Sequence, residues 1–195
     1  MPSMSRPERS FCRSGLWQVA VRRIVSWATQ RTELHGDVLE IGGGGGGMAE
    51  ALARANPDIR LTMTDVDELM VDTARVRLVR YSNVAVSRAD VTRLPYDDAS
   101  YDAVVSFLML HHVIDWESAV AEAARVLRPG GRFIGYDLTD TAISAWIHHL
   151  DGSPHRLIPR GGLEPVLGEH GLEAEHLRYG VRDHVVRFVA RKAER

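Results

Sequence analysis

The sequence of 195 residues has few cysteines, no long apolar run and no excess charge of one sign. Its single cysteine, Cys12, excludes an internal disulfide and a metal site built from several cysteines, and it is compatible with a reducing compartment. No apolar stretch approaches the roughly 20 residues that cross a bilayer. The first ten residues, MPSMSRPERS, lack the apolar centre of a signal peptide. We therefore expect a cytoplasmic chain without a membrane span.

The charges of the chain nearly cancel, with a formal net charge of −2 at pH 7. Without a surplus of lysine and arginine, the chain lacks the electrostatic attraction that dominates binding to nucleic acid backbones. We therefore expect no nucleic acid partner. The length suits one domain with a substantial core, so we expect a single domain over residues 1–195. The oligomeric state does not follow from the sequence.

The beginning of the chain is predicted to contain a tail and a helix. Residues 1–9 are polar and include two prolines, which is typical of a loose tail. From Phe11 to Thr32 apolar residues recur at helical spacing, so an amphipathic helix is predicted within residues 10–33. We interpret the opposite face of this helix as a solvated surface, and its arginines are Arg13, Arg22, Arg23 and Arg31.

The middle of the chain alternates β-rich runs with helical runs. Strands are predicted at Val38–Ile41, Ile59–Thr64, Val84–Ser87, Tyr101–Phe107 and Arg132–Leu138. Helices are predicted at Met48–Ala55, Glu68–Arg80 and Trp116–Leu127, the last of them ended by a turn in the RPGG segment at residues 128–131. Such alternation predicts a doubly wound α/β fold with a mostly parallel sheet and helices on both faces.

The end of the chain is predicted to close this sheet differently. A helix at Leu163–His170 precedes two strands, Leu172–Tyr179 and His184–Arg191. The intervening GVRD segment is too short for a helical crossover between parallel strands. The two strands are therefore expected to pair as an antiparallel hairpin.

Six consecutive glycines, Gly42–Gly47, separate the first predicted strand from the first predicted helix. A flexible linker would join two domains through polar flanks, whereas this run lies inside a strand–helix unit. Glycine admits positive φ angles and lets a ligand approach the backbone closely. These features favour a ligand-binding loop. A run of six glycines satisfies GxGxxG in several frames, so the glycines alone do not identify the ligand.

Three carboxylates narrow the choice of ligand. Glu40, just before the loop, would repel the pyrophosphate of NAD or FAD and would suit a cationic amine, although by itself it is equally compatible with a solvent-exposed strand end. Asp65 ends the second predicted strand, where an acidic side chain accepts hydrogen bonds from a ribose diol. Asp90 comes shortly after the third predicted strand. Together they fit an adenosine ligand that carries a charged amino-acid tail.

Four ordered segments resemble the motifs of class I S-adenosylmethionine-dependent methyltransferases, especially the small-molecule branch that includes quinone-biosynthesis enzymes. These segments are VLEIGGGGG, TDVDELMVDTAR, ADVTRLPYDDASYDAVVSFLMLHHV and AVAEAARVLRPGGRFIGYDL. The resemblance covers about residues 37–138 and extends weakly through EHGLEAE. It implies a Rossmann-like fold, S-adenosyl-L-methionine as cofactor and S-adenosyl-L-homocysteine as product. The reaction it implies is SN2 transfer of a methyl group to a small-molecule acceptor.

The resemblance also implies which residues bind the cofactor. Glu40 matches the acidic residue of the first motif, Asp65 the ribose-binding carboxylate, and Asp90 the residue that accepts from the adenine amino group. The full set of matched positions is Glu40, Gly42, Gly44, Gly46, Asp65, Val66, Asp90, Val91, Ser106 and Phe107. Ser106 and Phe107 match the segment at the methionine end. Gly43 and Gly45 depart from the family, which usually has small side chains there, and each surplus glycine should loosen the loop by roughly 0.5 to 1 kcal/mol.

The sequence indicates the catalytic residues less clearly than the cofactor-binding residues. His111 and His112 follow the fourth strand and are candidates for a general base, but a packing or hydrogen-bonding role is favoured for His112. The segment 139–162 is a candidate for the acceptor site, and no metal site is expected. A non-catalytic cofactor-binding relative stays open as an alternative. Methylation of RNA or protein also stays open, although SFLML stands where amino-group methyltransferases of nucleic acid bases carry an Asn/Asp-Pro-Pro-aromatic motif.

Overall fold

The computed structural model describes residues 24–142, 144, 154–180 and 182–194. The predicted tail, residues 10–23 of the predicted N-terminal helix and Cys12 lie outside the described residues. Residues 24–28 are helical, and the helix ends there rather than at residue 33. The reason is local, because Gln30 and Arg31 take left-handed φ angles of 51° and 61° that no right-handed helix contains.

Seven strands form one sheet in the order β3-β2-β1-β4-β5-β7-β6. Strands β1 to β5 pair in parallel, and β7 is antiparallel to both β5 and β6. The strands are β1 (Asp37–Ile41), β2 (Arg60–Asp65), β3 (Val84–Arg88), β4 (Tyr101–Phe107), β5 (Leu127–Leu138), β6 (Leu172–Gly180) and β7 (Val185–Lys192). This confirms the predicted doubly wound, Rossmann-like sheet and its closing antiparallel hairpin.

Helices cover both faces of the sheet, as the alternation of elements predicts. They are α1 (Gly47–Ala55), α2 (Glu68–Leu78), α3 (Trp116–Val126) and α4 (Leu163–Glu169), with a 3-10 turn at Leu110–His112. Neighbouring residues of one strand enter opposite cores: Val38 packs with α1 and α2, and Leu39 packs with α3 and α4. A strand buried on both faces therefore has a nearly continuous apolar sequence. None of the described helices is long and apolar enough to cross a membrane.

The fifth strand begins earlier than predicted. The sequence predicts a turn in the RPGG segment and a strand from Arg132, but β5 starts at Leu127 and includes that segment. Tyr101 of β4 pairs with Leu127, whereas Ala103 pairs with Arg132, so the intervening residues form a bulge. Gly130 permits it with a φ of 78°. The predicted turn is therefore wrong, since RPGG distorts the strand without ending it.

The order of the strands determines where a ligand can bind. Strand β1 lies between β2 and β4, so the chain changes direction across the sheet at the β1–β4 pair. In open α/β sheets, ligands bind at such a switch point, beyond the carboxyl ends of the strands. The glycine run follows β1 at this point.

Candidate functional site

The glycine run alternates between two backbone conformations. Gly42, Gly44 and Gly46 have φ angles of 65°, 55° and 78°, whereas Gly43 and Gly45 do not have left-handed φ angles. These three left-handed residues are the glycines that the family resemblance selects. At Gly42 the space is also filled, because an added Cβ would lie 1.9 Å from Cγ of Met109.

The two surplus glycines differ in their surroundings. An added Cβ at Gly43 would lie 2.7 Å from Cγ of Met63, whereas at Gly45 it would lie 3.3 Å from Cγ2 of Thr73. Gly43 therefore leaves little room for a side chain, although its backbone would allow one. Position 45 needs only a small displacement of its neighbour to accept alanine.

Asp65 ties the glycine loop to the end of β2. Its Oδ2 accepts a hydrogen bond from the Gly44 N–H at 2.8 Å, and its Oδ1 accepts from the Asp67 N–H at 2.9 Å. Burial raises the pKa of Asp65, and these backbone N–H groups oppose the rise only in part. The Gly43 and Gly46 N–H groups are also engaged, by carbonyl oxygens at 2.9 and 3.0 Å. A loop with so many committed donors has little to offer a pyrophosphate.

Glu40 lies beneath this loop and is almost completely buried, with 1% of its surface exposed. Its Oε2 has no hydrogen-bond partner in the described part of the chain. Burial, with a smaller contribution from the charge of Asp65, raises the pKa of Glu40 to about 8. The solvent-exposed interpretation that the sequence left open is therefore wrong. A buried carboxyl that lacks a partner is costly, and a cationic ligand group would relieve that cost.

Ser106 and Phe107 are the last two residues of β4, beside the end of β1. Ser106 pairs with Ile41 across the two strands, and its buried Oγ has no hydrogen-bond partner among the described residues. The ring of Phe107 lies 5.7 Å from the ring of Tyr136 in β5. At the switch point, one polar atom of Glu40 and one of Ser106 thus lack partners among the described residues, which fits the polar amino-acid end of the expected cofactor.

The remaining predicted cofactor residues follow β2 and β3. Val66 is half-buried directly after Asp65, and Val91 is buried in the core with α3. Asp90 accepts two hydrogen bonds from Thr92, one from its N–H at 2.9 Å and one from its hydroxyl at 2.7 Å. The fold therefore brings these residues to the same sheet edge as Glu40. Their contacts with adenine stay a prediction.

A buried histidine–aspartate pair lies on the other side of the switch point. Nδ1 of His111 hydrogen-bonds to Oδ1 of Asp137, a fully buried carboxylate at the end of β5. Oδ2 of Asp137 accepts from the N–H groups of Met109 and Leu110 at 3.0 and 2.7 Å. Burial opposes ionisation of Asp137, but the contact with His111 and the hydrogen bonds outweigh it and lower the pKa of the carboxyl. His112 is half-buried, with its ring 4.0 Å from that of His111.

The sequence indicates His111 as a candidate base but does not indicate its pairing with Asp137. His111 follows β4 and Asp137 lies at the end of the neighbouring parallel strand β5, and that placement was the available signal. Pairing of β4 with β5 was needed to bring His111 and Asp137 together, and adjacency in the sheet is not written in either motif.

The described part of segment 139–162 packs over this pair. Thr139 bridges to Ile158, and the Arg156 N–H donates to the carbonyl of His111 at 2.8 Å. The Arg156 guanidinium is held by both carboxylate oxygens of Glu117, at 2.6 and 2.7 Å. Residues 143 and 145–153 of this segment, which include Trp146, His148 and His149, lie outside the described residues. Within the described ranges, no three histidine, cysteine or acidic residues converge as metal ligands.

Comparisons with known proteins agree with this geometry. Residues 39–135 match a family model described as a methyltransferase domain. The chain is 41% identical over 98 residues to the 27-O-demethylrifamycin SV methyltransferase of Amycolatopsis mediterranei, covering 49% of this chain and 36% of that protein. It is 34% identical over 119 residues to the demethylmenaquinone methyltransferase of Clavibacter sepedonicus, covering 61% of this chain and 46% of that protein. The chain thus spans less than half the length of these two relatives.

A solved structure extends the likeness of fold over most of the chain. The cyclase SpnF superposes with a TM-score of 0.77 at 22% identity, covering 93% of this chain and 83% of that one. At this level of identity the likeness concerns the fold alone.

Proposed function

The chain belongs to the class I S-adenosylmethionine-dependent methyltransferases, and from that premise we propose that it transfers the methyl group of S-adenosylmethionine to a small-molecule acceptor. The observation that carries the proposal is the buried Oε2 of Glu40, which has no partner among the described residues and lies beside the glycine loop. A cofactor with an ammonium group would supply the missing partner. A dinucleotide would instead bring negative charge to a carboxyl that is already costly to ionise.

The residues around the loop suit the parts of this cofactor. Glu40 and Ser106 would bind the amino-acid end, and Asp65 would accept from the ribose hydroxyls with the lone pairs that Gly44 and Asp67 leave available. Val66, Asp90 and Val91 would surround the adenine. When bound, S-adenosylmethionine supplies an electrophilic methyl group on a positively charged sulfur. The protein then has to align the acceptor and exclude water.

The pair of His111 and Asp137 supports proton removal from the acceptor. Because Asp137 engages Nδ1 and is itself fixed by three backbone N–H groups, the imidazole ring has one orientation, with Nε2 on the side away from Asp137. An acceptor hydroxyl or acidic carbon would lose its proton to Nε2 as the methyl group arrives. His112 would act on His111 through ring contact rather than on the acceptor.

The relatives support a small-molecule acceptor, since they are named for a rifamycin and a menaquinone precursor. The second candidate function is cofactor binding without methyl transfer. It is favoured by the fold neighbour named as a cyclase, because that name indicates that the fold does not by itself determine the reaction.

The test is calorimetry with S-adenosylhomocysteine, with NADH as the competing ligand. We expect S-adenosylhomocysteine to bind and NADH not to bind, and Asp65→Ala to weaken binding by about 1 to 3 kcal/mol. Transfer of labelled methyl groups to demethylmenaquinone and to a panel of phenols then separates the two candidates. Transfer that is lost in Asp137→Asn with unchanged cofactor affinity would support the enzyme, whereas binding without any transfer would support the non-catalytic relative.

A further inference from the structure

A cavity of about 440 Å³ lies at the far side of the sheet, where β6 and β7 meet the turn after residues 24–28. Its volume is in the range of small-molecule sites. The residues that give it chemical character are Trp27, Gln30, Arg31, His176, Arg178 and Arg187. This set contains three guanidinium groups and no carboxylate.

The arginines of this cavity are not neutralised. In the ranges that the structure describes, Arg31, Arg178 and Arg187 form no ion pair, although most other arginines of the sheet edges do. Arg178 and Arg187 also face each other directly across β6 and β7, an arrangement in which like charges repel. A bound anion would remove this repulsion.

A neutral donor in the same cavity also lacks a partner. Nε2 of Gln30 is buried and has no hydrogen-bond partner among the described residues. Gln30 and Arg31 both have left-handed φ angles, which cost energy in residues other than glycine. The strained turn directs an amide donor and a guanidinium to one cavity, which is the donor set that binds an anionic oxygen.

A continuous row of side chains connects this cavity with the cofactor region. Phe107 pairs with Tyr136, Tyr136 with Arg187, and Arg187 with Arg178, across β4, β5, β7 and β6. Trp27 covers the row, with its ring 5.1 Å from that of Tyr136 and 4.5 Å from the Arg187 guanidinium carbon. At a strand spacing of about 4.8 Å, the two arginines lie roughly 10 to 14 Å from Phe107. A small molecule can span that distance.

We propose that this cavity binds the anionic group of the methyl acceptor, which is therefore a small molecule that carries a carboxylate or a phosphate. Arg31, Arg178 and Arg187 bind the anion, and Gln30 donates to one of its oxygens. The inference rests on the proposed function in one respect only, namely that the anion belongs to the acceptor.

The experiment measures binding of phenyl phosphate, benzoate and neutral benzyl alcohol to the protein saturated with S-adenosylhomocysteine. We expect at least one anion to bind and benzyl alcohol not to bind, and the preferred anion distinguishes phosphate from carboxylate. Arg178→Gln should weaken anion binding at least tenfold. Arg54→Gln is the matched control, because Arg54 is exposed on α1, away from the cavity, and this change should leave anion binding within twofold.

Three outcomes would overturn the proposal. The first is that no anion binds better than benzyl alcohol, and the second is that Arg54→Gln weakens binding as much as Arg178→Gln. The third is that a decathymidylate binds more tightly than phenyl phosphate and depends on Arg178, which would indicate a nucleic acid ligand. Affinity for S-adenosylhomocysteine is measured on every variant and should not change. If the wild type does not bind S-adenosylhomocysteine, the proposed function is wrong. The anion site is still tested in that case, by comparing anion binding to Arg178→Gln and to Arg54→Gln.

Discussion

The two edges of the sheet differ in whether their charged side chains have ion-pair partners. At the amino edge, where the parallel strands begin, Asp37 accepts from Arg60 at 2.6 Å and from Arg128 at 3.0 Å. Asp102 accepts from Arg128 at 2.6 Å and from the Asp37 N–H at 2.7 Å. Each carboxylate in this group has a cationic partner. These ion pairs contribute to the stability of the fold without any bound ligand.

At the carboxyl edge, a carboxyl group and two arginines have no oppositely charged partner among the described residues. Glu40 is buried without one beside the glycine loop, and Arg178 and Arg187 repel each other across the last two strands. Glu40 and the two arginines lie on opposite sides of β4 and β5 and do not pair with each other. The amino edge thus has paired charges that contribute to stability, whereas the carboxyl edge has, besides the His111–Asp137 pair, groups without a counter-charge, and we propose that these groups serve binding.

The largest effect is expected where the carboxyl edge depends on exact backbone geometry. Gly42→Ala combines a left-handed φ angle with a Cβ placed 1.9 Å from Met109, and it should lower the free energy of unfolding by about 2 to 4 kcal/mol. Gly161→Ala is the control, because Gly161 has a φ of 77° and no atom within 4 Å. Urea unfolding should give it a smaller loss, of about 1 to 2 kcal/mol. Equal losses would show that crowding by Met109 is unimportant.

The pH dependence of stability tests the burial of Glu40. Between pH 4.5 and about 8, the folded protein keeps the Glu40 proton while the unfolded chain releases it. Stability contributed by the protonated carboxyl is thus fully present below pH 4.5 and is lost as pH rises toward 8. Relative to Glu40→Gln, the wild type should lose at most about 1.4 kcal/mol per pH unit in this window. Asp137, whose pKa is lowered, titrates outside it. Parallel curves for the two proteins would contradict the buried, unpartnered state.

Glu40→Gln removes a source of instability from the free protein at high pH, but it should weaken the binding of the cofactor. Glu40→Gln removes the charge that would bind an ammonium group, so affinity for S-adenosylhomocysteine should fall about ten- to a hundredfold, as for the loss of a charged hydrogen bond. Methylthioadenosine lacks the amino-acid end and serves as the control ligand in calorimetry. Its affinity should be unchanged, and an equal loss for both ligands would place Glu40 away from the amino-acid tail.

At the paired edge, removal of a charge should destabilise the protein. Arg128→Gln leaves Asp102 without its cation and Asp37 with one of two. Because these side chains are partly exposed, we expect a loss of only about 0.5 to 1 kcal/mol in the free energy of unfolding. Arg54→Gln makes the same charge change at a residue that has no paired carboxylate in the described part of the chain, and it should have no effect.

The smallest effect is expected where removal of a charge relieves repulsion. Arg178→Gln should raise the free energy of unfolding by a few tenths of a kcal/mol in low salt, and less in high salt. Arg132→Gln, which breaks the ion pair between Arg132 of β5 and Glu175 of β6, should lower it. Stabilisation by both substitutions would remove the distinction between paired and unpaired arginines.

The sequence predicted the fold well because its signals are local. Tyr101–Phe107 has the predicted bounds, and the short GVRD connection was enough to predict the hairpin. The start of β5 was missed because RPGG has the composition of a turn, and only pairing with β4 reveals that it is a bulge.

In the candidate site, too, the features with a local sequence signal were predicted and those that depend on the tertiary fold were not. Glu40, Asp65 and the alternating glycines lie in contiguous motifs, so sequence analysis was able to select them. Their burial and missing partners were not predictable from pattern. The basic cavity was missed because Arg31 and Arg187 come together only through the tertiary fold, and an overall charge of −2 conceals a local cluster.

The contact between Trp27 and Arg187 has a consequence for how the protein folds. The Arg187 guanidinium donates to the Trp27 carbonyl at 3.2 Å, joining residues 160 positions apart in the chain. A contact between residues so far apart in sequence carries a loop-closure entropy that the intervening sheet removes once it has formed. Residue 187 is also synthesised long after residue 27. We therefore expect the basic cavity to assemble late in folding, since it joins the two ends of the described chain.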